Sequence, residues 1–165
     1  MSNLVKRRIL AFTVDYILIA IYASLLYIIT TLIDPREMSP YKGAIVGFIS
    51  LTLPVFLYFY LSEMSRFNAS FGKQWMKIKV ECQGANSRKS LLTRNILKFL
   101  PWEIAHLGVH WLIYFSSEEI LVPIWVWILL IVPQLLVIAY LISIFISKGK
   151  QSLYDKMAQV QVTQV

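Results

Sequence analysis

Charged residues are scarce in this sequence, and their scarcity argues against an ordinary soluble domain. Only 15% of the 165 residues are charged and 58% are hydrophobic, whereas about a quarter of the residues in a soluble domain are charged. A lipid bilayer is therefore the expected surrounding. Long apolar stretches leave no room for a separate soluble catalytic domain, so any function is expected within the helices or their loops.

Residues with recognisable catalytic chemistry are also missing. The one cysteine, Cys82, cannot form an internal disulfide, and the only histidines are His106 and His110. The sequence contains no glycine-rich nucleotide loop, no catalytic triad and no paired-cysteine metal motif. We therefore expect no enzymatic activity and no cofactor. The net charge of +7 is better explained by basic loops beside anionic lipid than by a nucleic-acid partner.

Four stretches of the chain are long enough to cross a bilayer as helices. They are predicted at about 9–33, 43–62, 99–117 and 120–147, with a long loop at 63–98. The stretch 99–117 contains Glu103, His106 and His110, and it is the weakest of the four by hydropathy. The first stretch follows basic residues as a signal peptide does, but its length and the lack of a small-residue cleavage site indicate a retained helix.

The distribution of basic residues favours four spans over three, because cytoplasmic loops of membrane proteins carry an excess of lysine and arginine. With four spans, fourteen of the sixteen basic residues fall on the inner side, and only Arg36 and Lys42 fall outside. If the stretch 99–117 did not cross, the division would weaken to eleven against five. The sequence therefore predicts a multi-pass protein of the cytoplasmic membrane with both termini in the cytoplasm.

Two segments outside the spans alternate with the period of a β-strand. Apolar and charged residues alternate from Trp75 to Glu81, and apolar and polar residues alternate from Met157 to Val162. A lone strand is marginal in water, so we expect these segments to pair as a small cytoplasmic β-ribbon.

A short amphipathic helix is predicted in the membrane interface, ahead of the turn that Pro101 is expected to make into the bilayer. Its apolar stripe is Leu92, Ile96, Phe99 and Leu100, opposite Arg94, Asn95 and Lys98. The predicted fold class is thus an all-α membrane protein. A single domain over residues 1–165 forms a four-transmembrane-helix bundle, with this interfacial helix and the β-ribbon attached.

Asp15 is a carboxylate inside a predicted span, where an ionised group is costly. It lies seven residues after Arg8, on the same helix face but about 10 Å away along the axis. Direct pairing with Arg8 is therefore strained, and we expect Asp15 to have a partner on a neighbouring helix or to be protonated. A buried residue that serves helix packing and an ion or proton site both fit the position.

Glu103, His106 and His110 form a second polar group within a predicted span. Their spacing of i, i+3 and i+7 projects the three side chains to one side of the helix. Three interpretations stay open: a polar network between helices, a proton or cation path, and a metal site. A metal site would need a further ligand that the chain does not obviously offer.

Asp155 is expected near the inner membrane surface, where the first helix also emerges. A pair between Arg8 and Asp155 would join the first and last helices and position the C-terminal strand. The alternative is a solvated Asp155 beside Lys156.

Several segments resemble one family of bacterial membrane proteins, the RDD family, which is named for one arginine and two aspartates. The segment Arg8-Ile-Leu-Ala-Phe-Thr-Val-Asp15 resembles its opening helix. The other resembling segments are Gly72-Lys73, Ile78-Lys79-Val80, Arg94-Asn95 and Leu153-Tyr154-Asp155-Lys156-Met157-Ala158. The sequence departs from the family pattern at Gln159-Val160, where a Gly-Thr pair is common.

The resemblance implies that Arg8, Asp15 and Asp155 are the signature residues. It implies less about activity: the family has been suggested to transport unidentified ligands, some members resemble cation/proton antiporters, and others look like regulators of membrane proteases.

Two functions are therefore expected as alternatives. One is a small cation/proton transporter, acting as a homo-oligomer, in which Asp15, Glu103, His106 and His110 form the path. The other is a non-catalytic regulatory subunit whose basic loop binds anionic lipid headgroups or another membrane protein. The loop residues proposed for this binding are Lys73, Lys77, Lys79, Arg88, Lys89 and Arg94.

Overall fold

The computed structural model describes residues 3–33 and 39–165, without the side chains of residues 31–33. Arg36, which entered the charge distribution above, lies outside the described residues. The protein is mostly helical with one small sheet. In chain order the elements are α1 (Asn3–Ile33), α2 (Pro40–Gly47), a π-helical turn (Phe48–Thr52), α3 (Leu53–Met64), α4 (Phe71–Trp75), β1 (Ile78–Cys82), α5 (Ser87–Ser117), α6 (Ile124–Ile146), α7 (Leu153–Met157) and β2 (Val160–Gln164).

Among the described residues, three helices are long and apolar enough to cross a membrane. They are Asn3–Thr30, Pro40–Met64 and Ile124–Ile146, the second being α2, the π-helical turn and α3 in one continuous helix. The fourth predicted span, 99–117, is helical within α5 but is not one of these candidates. Glu103, His106 and His110 lower its hydropathy, so the structure does not confirm a count of four.

The interfacial helix predicted before Pro101 is not a separate element, because α5 continues through that proline. Proline has no N–H, so the carbonyl four residues earlier, on Leu97, loses its helical donor. The hydroxyl of Tyr140 in α6 donates to this carbonyl at 3.0 Å. A neighbouring helix thus supplies the missing hydrogen bond, which lets α5 run on instead of turning.

A second proline is accommodated in the same way. Pro54 lies in the first turn of α3 and offers no donor to the carbonyl of Ser50 in the π-helical turn. The hydroxyl of Tyr22 in α1 donates to that carbonyl at 2.6 Å. Carbonyls freed by prolines are tolerated in membrane helices when a neighbour satisfies them, and here a tyrosine does so twice.

The predicted β-ribbon is present. Strands β1 and β2 pair antiparallel, with Val80 opposite Val162 and Cys82 opposite Val160. The buried side chains of the ribbon join Ala11 of α1 and Leu91 of α5 in one hydrophobic core. The two strands lie far apart in the chain, and this core holds them beneath the ends of α1 and α5.

Helix α5 lies at the centre of the helix packing. It contacts α2, α3 and α6 along its length. Gly108 permits a close approach to α6, because a Cβ there would lie 3.1 Å from side-chain atoms of Leu129 and Leu130. The first helix instead contacts α4 most extensively, so the loop segment, and not a second long helix, holds the beginning of α1.

We expect Tyr140→Phe to lower the free energy of unfolding by about 1 kcal/mol, since it removes the hydrogen bond to a carbonyl that Pro101 leaves without a helical donor. In a Pro101→Ala background the cost should shrink, because the introduced alanine would donate its own backbone N–H to the carbonyl of Leu97. Denaturant unfolding of the four proteins in detergent would measure this coupling. An equal cost of Tyr140→Phe in both backgrounds would mean that Tyr140 does not compensate for the proline.

Candidate functional site

The guanidinium of Arg94, on the first third of α5, is buried between two carboxylates. Its Nη1 donates to both carboxylate oxygens of Glu63 at 2.5 Å, and its Nε donates to Oδ1 of Asp155 at 2.6 Å. Glu63 and Asp155 are fully buried, and Arg94 is 1% exposed. One guanidinium therefore bridges the end of α3 to α7, using the fork geometry that arginine offers to carboxylates.

Two further cations complete this cluster. Arg8 of α1 donates to Oδ2 of Asp155 at 2.8 Å and to the carbonyl of Gly149 at 3.0 Å. Lys73 of α4 forms an ion pair with Glu63. The pair between Arg8 and Asp155 that was considered from the sequence is thus present, and Asp155 is not a solvated surface residue. We call Arg8, Glu63, Lys73, Arg94 and Asp155 the ion cluster.

The charges in the ion cluster hold one another in their ionised forms. Burial disfavours the charged form of Asp155, but Arg94 and Arg8 outweigh burial and hold the pKa of its carboxyl at about 2. Burial likewise opposes the charge on Arg94, yet the carboxylates of Glu63 and Asp155 raise its pKa above the ordinary value. Each charge is therefore stable only because its partners are in place.

Asp155 also organises its own helix. Its Oδ2 accepts from the backbone N–H of Ser152, and the Ser152 hydroxyl accepts from the N–H of Asp155 at 3.2 Å. This reciprocal capping box starts α7. One carboxylate thus caps α7, pairs with α1 and pairs with α5, which ties the C-terminal strand to the membrane helices.

Asp15 lies 2% exposed and is fully engaged by hydrogen-bond donors. It accepts from the hydroxyl of Tyr58 at 2.8 Å, from the hydroxyl of Ser70 at 2.5 Å and from the backbone N–H of Gly72 at 2.8 Å. The expected partner on a neighbouring helix is Tyr58, and two more donors come from the loop. Asp15 therefore holds the start of α4 against α1.

Gly72 is required at this contact because it has no side chain. A Cβ on Gly72 would collide with the carbonyl oxygen of Ala11 and approach the carboxyl of Asp15 at 3.0 Å. Only glycine lets its N–H come this close to the helix surface. In the Gly72-Lys73 segment, Gly72 thus donates its N–H to Asp15, and the adjacent Lys73 pairs with Glu63 of the ion cluster.

Glu103, His106 and His110 lie on the α5 face that packs against α2. The rings of His106 and His110 are 4.8 Å apart between centroids. They rest on Gly47 and Gly43: a Cβ on Gly43 would lie 2.7 Å from Nδ1 of His110, and one on Gly47 would collide with His106. Two glycines four residues apart make room for the imidazoles, as small residues do between membrane helices.

This face contains polar atoms that the fold does not satisfy. Oε1 of Glu103 and Nε2 of His110 are buried and have no hydrogen-bond partner within the described part of the chain. Next to Glu103 in the sequence, Trp102 donates its indole N–H to the hydroxyl of Thr52 in the π-helical turn at 3.1 Å. Buried polar groups are normally paired, so these two atoms are candidates for binding a proton, a water molecule or an ion.

The remaining candidates divide into buried and exposed residues. Lys73 and Arg94, expected on a lipid-binding loop, belong to the ion cluster. Lys79 pairs with Glu81 at 3.1 Å, and Lys77, Arg88 and Lys89 are exposed. In residues 3–33 and 39–165 no three His, Cys, Asp or Glu side chains are grouped so that they could hold a metal ion.

Sequence reasoning missed Glu63, Tyr58 and Ser70. Glu63 closes a predicted span, where a terminal charge is unremarkable, and hydroxyls carry no charge that would mark them. The one available signal was that Arg94 and Lys73 needed a carboxylate beyond Asp155, and Glu63 is the acidic residue nearest to the inner end of a span.

Replacing Arg94 with leucine should lower the free energy of unfolding by about 3–5 kcal/mol, because Glu63 and Asp155 would be left buried without their main partner. The matched control is Arg88→Leu on the same helix, which removes an exposed arginine and should stay within about 0.5 kcal/mol. Unfolding in detergent measures both. Similar small effects for the two variants would show that the ion cluster does not hold the fold.

The depressed pKa of Asp155 predicts a particular acid sensitivity. Since its pKa falls from 3.8 unfolded to about 2 folded, its ionisation stabilises the fold above about pH 4, and this stability is lost as the pH falls toward 2. In Asp155→Asn the loss of stability between pH 5 and pH 2 should therefore be smaller, although the variant is less stable at neutral pH. If Asp155→Asn lost as much stability between pH 5 and pH 2 as the native protein does, this role of Asp155 would be contradicted.

Comparison with known proteins identifies the family of the chain. Searches of curated proteins and of solved structures found no match. The model of the RDD family matches residues 3–159, nearly the whole chain, including Arg8, Asp15 and Asp155. The fold holds these three residues in buried polar contacts, and the chain belongs to the RDD family.

Proposed function

We propose that the protein is a small proton-linked cation transporter with four spans and both termini in the cytoplasm, in which Glu103 and His110 handle the proton. The observation that carries this proposal is the pair of buried, unpartnered polar atoms, Oε1 of Glu103 and Nε2 of His110. Intramembrane carboxylates and imidazoles commonly form proton relays, and histidine changes charge near neutral pH.

Polar groups along α5 support a path in this region. Between Arg94 in the ion cluster and His110 lie Lys98, Glu103 and His106. From Phe99, where the proposed span begins, to His110 the helix rises roughly 17 Å at 1.5 Å per residue, a little over half of the roughly 30 Å thickness of the hydrocarbon core. A span that carries so many polar groups explains why 99–117 is the least apolar of the four proposed crossings.

Lys98 lies between the ion cluster and the polar residues Glu103, His106 and His110. Its Nζ lies 3.1 Å from the centroid of the Phe59 ring, and the carboxylate of Glu63 acts on it electrostatically. Burial, and after it the positive charge of Lys73, lowers the pKa of Lys98 well below the ordinary value. A lysine that loses its proton easily at this position suits a relay between the basic end of α5 and Glu103.

Asp15 has a different part in this proposal from the one expected from sequence. Its carboxylate already accepts three hydrogen bonds, so few lone pairs remain for a cation. We assign Asp15 to positioning: it holds α4, and through α4 it holds Lys73 beside Glu63.

The test is ion-driven proton movement in liposomes loaded with a pH-sensitive dye, with sodium, potassium and lithium gradients imposed in turn. Movement should follow at least one cation and fall at least tenfold in Glu103→Gln. The control is Glu118→Gln, which removes an exposed carboxylate just beyond the same helix and should leave the flux unchanged. In Asp15→Asn the flux per folded molecule should fall less than in Glu103→Gln.

Absence of proton movement in the native protein, with the sample folded, would rule out the transporter. Equal loss in Glu103→Gln and Glu118→Gln would instead remove Glu103 from the path.

The second candidate is a non-catalytic regulatory subunit, and one surface favours it. Phe67, Phe71 and Trp75 are each at least half exposed, four residues apart, around α4. Arg66 lies over the Phe67 ring, and Lys77 is exposed nearby. Aromatic rings with basic neighbours suit the headgroup region of an anionic membrane or a membrane partner. Crosslinking in native membranes that recovers a second protein, together with absent ion flux, would favour this candidate.

A further inference from the structure

One polar residue lies in the middle of the most apolar helix and faces outward. Helix α6 spans Ile124–Ile146 with a mean hydropathy of 2.6 for its candidate span. Gln134 is one residue from its centre and is exposed, and its amide makes no hydrogen bond to any residue that the structure describes. An amide in contact with lipid is unfavourable, because nothing in the hydrocarbon can accept or donate a hydrogen bond.

The residues around Gln134 follow a heptad pattern. Spacings of four and three residues alternate along one exposed stripe, which consists of Trp127, Ile131, Gln134, Ile138, Leu141 and Phe145. Its five apolar members are between 46% and 53% exposed. Positions spaced in this way lie along one side of a helix and form the seam of a left-handed helix pair.

This stripe points away from the packing within the chain. Helix α6 contacts α5 through a different face, marked by the buried residues Val126 and Pro133 and by Tyr140, whose hydroxyl reaches Leu97. At about 100° per residue, the stripe is centred about 120° from that face. The seam is therefore available to another molecule without any change in the contacts described above.

We propose that the occupant is a second copy of this chain, packed through the α6 seam as a two-fold symmetric dimer. Two copies inserted in the same membrane have α6 in the same direction, so a two-fold axis along the membrane normal places each seam residue opposite itself at the same depth. Gln134 then meets Gln134. An amide both donates and accepts, so the two side chains satisfy each other.

A single polar residue within an apolar seam also sets its register. In helix pairs one such residue at a core position selects the alignment that pairs it and disfavours shifted ones. A lipid acyl chain would cover the apolar members of the stripe equally well but would leave the Gln134 amide unpaired. The position of this one residue thus favours a second copy over lipid.

The first measurement is disulfide crosslinking in native membranes, in a Cys82→Ser background that removes the natural thiol. Single cysteines in place of Ile138 or Leu141, on the seam, should give crosslinked dimers in several-fold higher yield than cysteines in place of Ile128 or Leu135. Both off-seam positions are exposed on α6, and Leu135 lies within about 5 Å of Ile138 along the helix axis, so they control for collision in the lipid. Equal yields at all four positions, or crosslinks to a different protein, would overturn the proposal.

The second measurement is energy transfer between labelled copies in liposomes, diluted with increasing lipid. Gln134→Leu should weaken association about tenfold, whereas Gln134→Asn, which keeps an amide, should retain most of it. Leu135→Ala, off the seam, should leave association unchanged. A protein that stays monomeric at every dilution, or a dimer indifferent to Gln134→Leu, would refute the seam. Neither readout depends on ion flux, so this result stands or falls apart from the proposed transport.

Discussion

The guanidinium of Arg94 is the group on which the rest of the structure depends. It bridges Glu63 and Asp155 in a region where none of the three side chains reaches solvent. Buried charges of this kind are unfavourable alone and stable only as a complete set. Because α3, α5 and α7 each contribute one member, and α1 and α4 add Arg8 and Lys73, five helices can adopt their positions only together.

Asp15 extends this constraint into the first span. It is hydrogen-bonded by Tyr58 on α3 and by the loop before α4, and Lys73 follows directly after Gly72. The two signature aspartates therefore act at neighbouring points on the same end of the protein, one through neutral donors and one through arginines. Away from this end the helices contact one another in two weaker ways. Tyrosine hydroxyls donate to carbonyls that prolines leave without a donor, and imidazole rings pack against glycines.

Polar groups on α5 and α6 differ in whether a partner satisfies them. In the ion cluster nearly every polar atom is paired, which suits a rigid foundation. Further along α5, Glu103 and His110 retain unpaired buried atoms, and Gln134 on α6 faces outward. These three side chains on α5 and α6 are the places where a proton, an ion or a second copy would complete the bonding.

Local patterns in the sequence predicted the long helices and the β-ribbon, and the resemblance to the RDD family marked Arg8, Asp15 and Asp155 as its signature. Hydropathy and strand alternation act over a few residues, so the elements follow from them directly. The count of spans does not follow, because polar groups in 99–117 offset its apolar residues and only the charge asymmetry argues for a crossing. The continuation of α5 past Pro101 was likewise hidden, since its explanation lies in Tyr140, on another helix.

Only the tertiary structure decided which charges pair. Arg94 lies 31 residues from Glu63 and 61 residues from Asp155, and no local periodicity encodes partners at such distances. The sequence alone indicated that Asp15 needed a partner or a proton within its span, because an isolated charge there is too costly, and it left Asp155 either paired with Arg8 or solvated. Which hydroxyls, amides and guanidinium groups satisfy them depends on helices meeting in three dimensions, where geometry and burial act together.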